Sequence, residues 1–271
     1  MLIAQITDFH IRAPGKLAYR RVDTAAYLQR CVAQLMRVRP LPDIVLATGD
    51  LVDFGEPAEY RHLRQLLAPL TMPVYLIPGN HDERGALRAE FADHSYLPHD
   101  GEFLQYVVDE YPLRLVALDT VVPMEGGGTL CEQRLAWLAG QLEKARGKPT
   151  VILMHHPPFK TGIGHMDAVG LDNQKGLGRL IAQHPQVERI VCGHLHRSIQ
   201  VRFHGTIAST CPGTGHQVTL DLRPDAPSTF TMEPPGYQLH HWTGAQLVTH
   251  TACIGEFDGP YPFFEDGNLI D

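Results

Sequence analysis

Apolar runs recur along the chain, and several end on a short polar cluster containing Asp, Asn or His. Leu2–Ile6 reads as a buried strand, and residues 22–38 carry Ala25, Leu28, Cys31, Val32 and Leu35 at helical spacing. The alternation then repeats. Residues 43–47 read as a strand leading to Gly49-Asp50, 57–70 as a helix with Pro57 in its first turn, and Val74–Ile77 as the next strand. Strand and helix in this order predict βαβ units around a parallel sheet.

A helix is predicted over 83–91, after which shorter alternating strands over 103–107 and 113–118 begin a second layer of sheet. A loop through Asp119-Thr120 and Gly126-Gly127-Gly128 precedes a helix over 131–145, with Leu135, Leu138 and Leu142 on one face. Strands over 150–154 and 189–192, separated by a helix over 176–183, lead to His155 and to Gly193-His194. Beyond His196 the pattern becomes β-rich, with segments over 198–203, 205–209, 217–220, 229–232, Gly236–Trp242 and 245–251. Breakers at 222–228 and 234–236 interrupt it, and 255–271 reads as an irregular, aromatic-rich tail. The expected division is a core over 1–200 and a β-rich extension over 201–271.

With 271 residues, 44% of them hydrophobic, the chain is long enough to bury one large core. Its net charge of −7, from 23 basic and 30 acidic residues, argues against a stable nucleic-acid complex, because such proteins gather Lys and Arg on one face. A small anionic substrate remains compatible, since bound divalent ions invert the local potential. Five cysteines without CxxC spacing suggest reduced thiols rather than a disulfide framework or a cysteine zinc site. Asp8 follows Met1 too closely for a secretory leader ahead of it, and no apolar stretch approaches the ~20 residues that cross a bilayer. A cytoplasmic protein without membrane association is expected.

Five clusters at predicted strand ends carry the chemistry: Asp8-Phe9-His10, Gly49-Asp50, Gly79-Asn80-His81-Asp82, His155-His156-Pro157-Pro158 and Gly193-His194-Leu195-His196. On an extended backbone Asp8 and His10 would point to one side and Phe9 to the other, and His194 and His196 would repeat that geometry. Asp50 offers two oxygens able to bridge two ions, and Asn80 a neutral amide oxygen. With His155 these make seven side chains, enough for two ions sharing a carboxylate. Any one triplet is weak in a chain of 16 histidines. Their joint occurrence at strand ends is specific. Asp82 reads as the N-cap of the helix over 83–91, and His156 as a supporting histidine beside the ligands. Asp119 is a weaker supporting candidate. His216 belongs with the other histidines outside strand-end clusters, expected to be structural or exposed, although its loop could border the site.

The ordered set D-x-H, G-D, G-N-H-D, H-H-P-P and G-H-x-H resembles the calcineurin-like metallophosphoesterase superfamily. Within it the chain is similar to bacterial class III cyclic-nucleotide phosphodiesterases and glycerophosphodiesterases, through residues 17–24, 76–82 and 233–237. The resemblance implies a four-layer αββα sandwich of two mixed sheets flanked by helices. It also implies that the β-rich end caps the site and mediates a homo-oligomer, a dimer or higher, through residues near 220–250. Carried over residue by residue, Asp8, His10 and His196 would bind one metal and Asn80, His155 and His194 the other, with Asp50 bridging. Phe9 departs from the small or polar residue common at its position.

The expected reaction is hydrolysis of a small phosphodiester, a 3′,5′-cyclic nucleotide or a glycerophosphodiester, by hydroxide generated between two divalent or mixed-valence ions of Fe, Mn, Zn or Co. His81 is placed to contact the phosphate or protonate the leaving group, Asn80 adjoins it, and Tyr19 and Arg20 are further candidate substrate contacts. The alternatives are a phosphomonoesterase or small-oligonucleotide nuclease using the same centre, and a non-catalytic scaffold of the same fold.

Overall fold

The structure, a computed structural model, describes residues 1–270. Eleven strands form two mixed sheets. In chain order they are β1 (Leu2–Ile6), β2 (Ile44–Thr48), β3 (Val74–Ile77), β4 (Tyr106–Val108), β5 (Arg114–Ala117), β6 (Thr150–Leu153), β7 (Val187–Cys192), β8 (Ile199–Phe203), β9 (Thr206–Thr210), β10 (Gly236–Trp242) and β11 (Leu247–Cys253). The first sheet runs β11-β10-β1-β2-β3 and the second β8-β9-β7-β6-β5-β4. Strands β1, β2 and β3 are parallel, as are β9, β7, β6 and β5, while β4, β8, β10 and β11 enter antiparallel.

Alternation along the central strands builds the layers. Leu115, Ala117, Val151, Leu153 and Val191 join one apolar cluster with the first sheet. Their neighbours Val116, Leu118, Ile152, Met154, Ile190 and Cys192 turn the other way and join a second cluster. A strand with period 2 therefore feeds two cores, which is why its sequence is a continuous apolar run. Helices α1 (Thr24–Leu35), α2 (Pro57–Leu67) and α3 (Arg84–Glu90) supply Leu28, Tyr60, Leu63 and Leu87 to the first cluster. Helices α4 (Glu132–Lys144) and α5 (Gln174–Ile181) supply Leu138, Leu142, Leu177 and Ile181 to the second. This is the expected αββα sandwich.

Local signals set the helix starts. The Asp23 side chain accepts from the Ala26 amide at the head of α1, and Glu56 and Glu59 form a reciprocal capping box around Pro57 at α2. Asp82 is not a cap. Glu83 caps α3, and Asp82 instead accepts from the amides of Leu51, Val52 and Gly79 and from the Tyr60 hydroxyl, joining two loops. The strands after residue 198 complete both sheets: β8 and β9 extend the second, β10 and β11 the first. The segments expected over 217–220 and 229–232 shrink to the pair Gln217–Val218 and Phe230–Thr231. Pro224 and Pro227 lie in their connection, where a missing amide donor prevents a longer ladder. Within the tail, Phe264–Glu265 and Asn268–Leu269 form a small hairpin.

Candidate metal centre

All five sequence clusters meet at one end of the two sheets. The loop after β1 is tied to the loop after β2 by amides donating from Asp8 to Gly49, His10 to Asp50 and Ile11 to Leu51, at 3.0–3.3 Å. The Gly193 amide donates to the His155 carbonyl at 3.1 Å, which joins the loops after β6 and β7. The backbone is not extended here. Asp8, His10, Asp50, His194 and His196 have φ of 55°, 47°, 48°, 70° and 50°. The alternate-residue reasoning for Asp8/His10 and His194/His196 therefore fails in its geometry, although the four side chains do converge. Left-handed backbone at a non-glycine residue costs of order 1–2 kcal/mol and persists where surrounding contacts enforce it. Phe9 and Leu195, between the convergent pairs, are buried.

Each histidine of the cluster is oriented from behind. His10 Nδ1 lies 3.2 Å from Asp53 Oδ1, His155 Nδ1 2.8 Å from the Thr48 carbonyl, and His196 Nδ1 3.0 Å from the His216 carbonyl. His194 is reversed, with Nε2 3.0 Å from the Val169 carbonyl. Because carbonyl and carboxylate oxygens accept, these nitrogens carry the N–H and donate. The opposite nitrogens face inward. His10 Nε2 and His196 Nε2 are 3.2 Å apart, His194 Nδ1 is 3.1 Å from Asn80 Oδ1, and His155 Nε2 is 3.2 Å from Asn80 Oδ1 and 3.3 Å from Asp50 Oδ1. His10 Nε2 is 3.6 Å from Asp50 Oδ2, and His196 Nε2 3.6 Å from Asp8 Oδ1.

Charge follows from this packing. Burial lowers the pKa of His10, His194 and His196 and so favours the neutral imidazole, the form able to bind a metal. Burial also opposes charge on His155, but the Asp50 carboxylate outweighs it and raises His155 to about 9. Burial works against ionised Asp50 as well; His155 and His81 overcome it and hold that carboxyl well below its ordinary range. A proton on His155 and a metal ion at this cluster would compete for one nitrogen.

The donor set fits divalent cations. Two imidazole lone pairs facing each other at 3.2 Å, between His10 and His196, are reconciled by a cation between them. Asp8 Oδ2 is buried without a hydrogen-bond donor, an orphan that a metal would satisfy. The mixture of imidazole, carboxylate and amide oxygen is that of first-row transition-metal sites.

His81 stands beside this set. Its amide donates to Asp50 Oδ1 at 3.0 Å and its Nδ1 donates to the Asp53 carbonyl at 2.8 Å, which leaves Nε2 as the uncommitted nitrogen. Burial disfavours its charge, but the Asp50 carboxylate and then Asp53 and Asp82 prevail and raise its pKa. A cavity of about 440 Å³ opens over these residues, walled on its apolar side by Tyr19, Met166, Val169, Val218 and Phe230.

The remaining candidates separate. His156 places Nδ1 2.8 Å from Thr120 Oγ1 and Nε2 3.1 Å from the Gly126 carbonyl, which leaves neither nitrogen free. Asp119 takes a two-pronged contact from Arg84 at 2.6 and 2.8 Å and accepts from the Leu104 and Val121 amides. Its role is to pin loops. Tyr19 lines the cavity, whereas Arg20 lies in an adjoining groove. His216, expected to be structural or exposed, is buried yet lines the cavity; its carbonyl orients His196 and its Nδ1 has no partner. Only its glycine-rich loop, 213–216, hinted at this in the sequence. His165 and Phe230, also in the lining, gave no such signal.

A family model described as calcineurin-like phosphoesterase matches residues 1–198. The chain belongs to that family. It is 41% identical to a probable glycerophosphodiester phosphodiesterase of Arcobacter nitrofigilis across the full length of both chains. It is 32% identical to a 3′,5′-cyclic adenosine monophosphate phosphodiesterase of Pseudomonas aeruginosa, over 88% of this chain and 84% of that one. Among solved structures, a dimetal phosphatase from Danio rerio superposes with a TM-score of 0.64 at 17% identity, over 94% and 98% of the two chains. That likeness concerns the fold. As a calcineurin-like phosphoesterase, the chain has its matched region ending just beyond His196, so the family segment contains all seven candidate ligands.

Proposed function

We propose that this protein is a dinuclear-metal-dependent phosphodiesterase acting on small phosphodiesters, either glycerophosphodiesters or 3′,5′-cyclic nucleotides. The observation that carries the reading is the inward convergence of His10, His155, His194 and His196 upon Asp8, Asp50 and Asn80, each imidazole fixed by a partner on its far side. Asp8, His10 and His196 would hold one ion, Asn80, His155 and His194 the other, and Asp50 would serve both. The donor set accepts Fe, Mn, Zn or Co. The full-length likeness to relatives named as glycerophosphodiester and cyclic-nucleotide phosphodiesterases supports the substrate class.

Bound divalent ions would supply Lewis acidity and lower the pKa of water. The protein's own residues do the rest. Asn80 and His81 orient the phosphate, and His81 presents Nε2 to the departing ester oxygen, which it can protonate while Asp53 keeps the ring in place. Tyr19 and Phe230, with ring centroids 5.1 Å apart, bound the cavity and exclude water from one side. His216 packs edge-on against both, at 5.1 and 5.2 Å.

The test is reconstitution with each of the four metals, followed by rates on bis(4-nitrophenyl) phosphate, 4-nitrophenyl phosphate, a glycerophosphodiester and a cyclic nucleotide. A diesterase favours the bis-ester over the monoester; the reverse preference would replace this reading with a phosphomonoesterase. The division into a core over 1–200 and an extension over 201–271 belongs to the same proposal, as does a homo-oligomer formed through residues near 220–250. Exposed Leu220, Leu222 and Met232 support that interface. Light scattering on a variant with charged residues at these positions tests it, and an unchanged mass would remove it.

A further inference from the structure

Beside the catalytic cavity lies a second, larger space of about 590 Å³, and the two share Tyr19 and His81 in their linings. Its walls differ in character. The first cavity has an apolar side, whereas the second is bordered by Arg12, Lys16 and Arg20 on one loop and by Phe54 and Asp53 on another.

The charges in this groove do not balance. Arg12 is matched: its guanidinium lies 3.0 Å from Asp53 and 3.2 Å from Glu59, and it stacks 4.0 Å over the Phe54 ring. Asp53 is further engaged by His10, at 3.2 Å. Lys16 and Arg20 are exposed, and among the described residues no carboxylate lies within ion-pair distance of either. Two cations are thus in surplus, on a protein whose net charge is −7.

Arg20 is also held in place. Ala18 and Val22 are buried and exchange amide hydrogen bonds, each 2.9 Å long, which pinches residues 19–21 into a tight tip. Tyr19 and Arg20 both occupy the left-handed region, at φ of 50° and 57°. A long cation on a pinned tip loses less freedom when it meets a ligand than one on a loose loop.

We propose that this groove receives the ester arm that departs past His81, and that Lys16 and Arg20 select an arm carrying a negative charge of its own. The proposal rests on the phosphodiesterase reading, because a diester alone sends two arms away from phosphorus. One arm then lies along the apolar side of the first cavity and the other in the groove bordered by Lys16 and Arg20. An open-chain diester can occupy both, whereas a 3′,5′-cyclic ester has both bonds on one ring.

The experiment compares two glycerophosphodiesters differing by one carboxylate, glycerophosphoserine and glycerophosphoethanolamine, on the metal-loaded enzyme, with conversion of each diester to glycerol phosphate followed by phosphorus NMR. The parent enzyme should show the higher kcat/KM on the serine ester. That advantage should fall about tenfold in the Lys16→Ala/Arg20→Ala variant, reverse in Arg20→Glu, and shrink as salt screens the exposed cations. Turnover of both esters with a ratio indifferent to these substitutions would overturn the groove assignment while leaving the diesterase intact. If the parent enzyme turned over neither ester while hydrolysing the bis-ester or the cyclic nucleotide, the groove assignment would fail and the diesterase reading would stand; inactivity on every diester would sink both.

Discussion

His10 and His196 face each other with their Nε2 atoms 3.2 Å apart, while Asp53 and the His216 carbonyl hold their opposite nitrogens. The pair is separated by 186 residues in sequence. Its orientation is imposed by groups outside the seven residues assigned to the metals, and that makes the supporting groups testable.

Asp53 accepts from His10 Nδ1 and pairs with Arg12. Asp53→Asn should leave the fold in place and weaken metal affinity by about 10- to 100-fold, the usual cost of losing a partner behind a ligating histidine. Metal titration of the stripped protein measures this. Affinity equal to that of the parent would show that His10 is held by packing alone.

His81→Ala should retain both metals yet lose turnover by about 10²–10⁴-fold, as expected when a proton donor is removed. Metal analysis beside kcat separates this from ligand loss. If the metal content dropped and added metal restored the rate, His81 would be a ligand instead. Asp50→Ala should empty or cripple both sites, and full metal stoichiometry with activity in that variant would sink the bridging assignment.

Gly49 has φ of 93°, and a Cβ there would sit 2.4 Å from His155 Nδ1 and 2.9 Å from the Gly79 amide. Gly49→Ala should therefore combine backbone strain with displacement of a candidate ligand. We expect a melting temperature lower by about 5 °C in the metal-free protein, together with loss of tight metal binding. A variant that melts and binds metal like the parent would contradict the close approach.

His240 is buried between Gln5 Oε1, at 3.1 Å, and Thr249 Oγ1, at 2.8 Å. Burial, and then the Arg189 guanidinium, push its pKa down to about 3. The ordinary histidine value is about 6.5, so between these limits the folded chain binds fewer protons than the unfolded one. The stabilising contribution is complete above pH 6.5 and declines as pH falls toward 3. By pH 5 about 2 kcal/mol should be lost, and His240→Gln should remove that part of the pH dependence. Urea denaturation of parent and variant at pH 7.5 and 5 gives the comparison. Parallel losses in both proteins would show that His240 is not responsible.

Much of this was legible in the chain. Apolar runs such as residues 44–48 and 150–153 lie in fully buried strands, and their run length alone marks strands with two covered faces. The seven ligand candidates were visible because each follows such a run. Asp82 misled, since a helix cap and a loop staple share one residue type, and only Tyr60 and the Leu51 and Val52 amides decide between them. His216 was hidden for a similar reason: its importance comes from a backbone carbonyl meeting His196, which no side-chain pattern records.

The sequence by itself determined which side chains could bind metal, which strands would be buried, and the family to which they point. Those features depend on residue type and on spacing along the chain. Tertiary structure alone decided the left-handed backbone at Asp8, His10, Asp50, His194 and His196, the ring nitrogen each histidine turns inward, and the surplus of Lys16 and Arg20 beside the cavity. Each of these is set by partners distant in sequence. An imidazole has two nitrogens and a loop has several allowed conformations, and only the contacts enforced by packing choose among them.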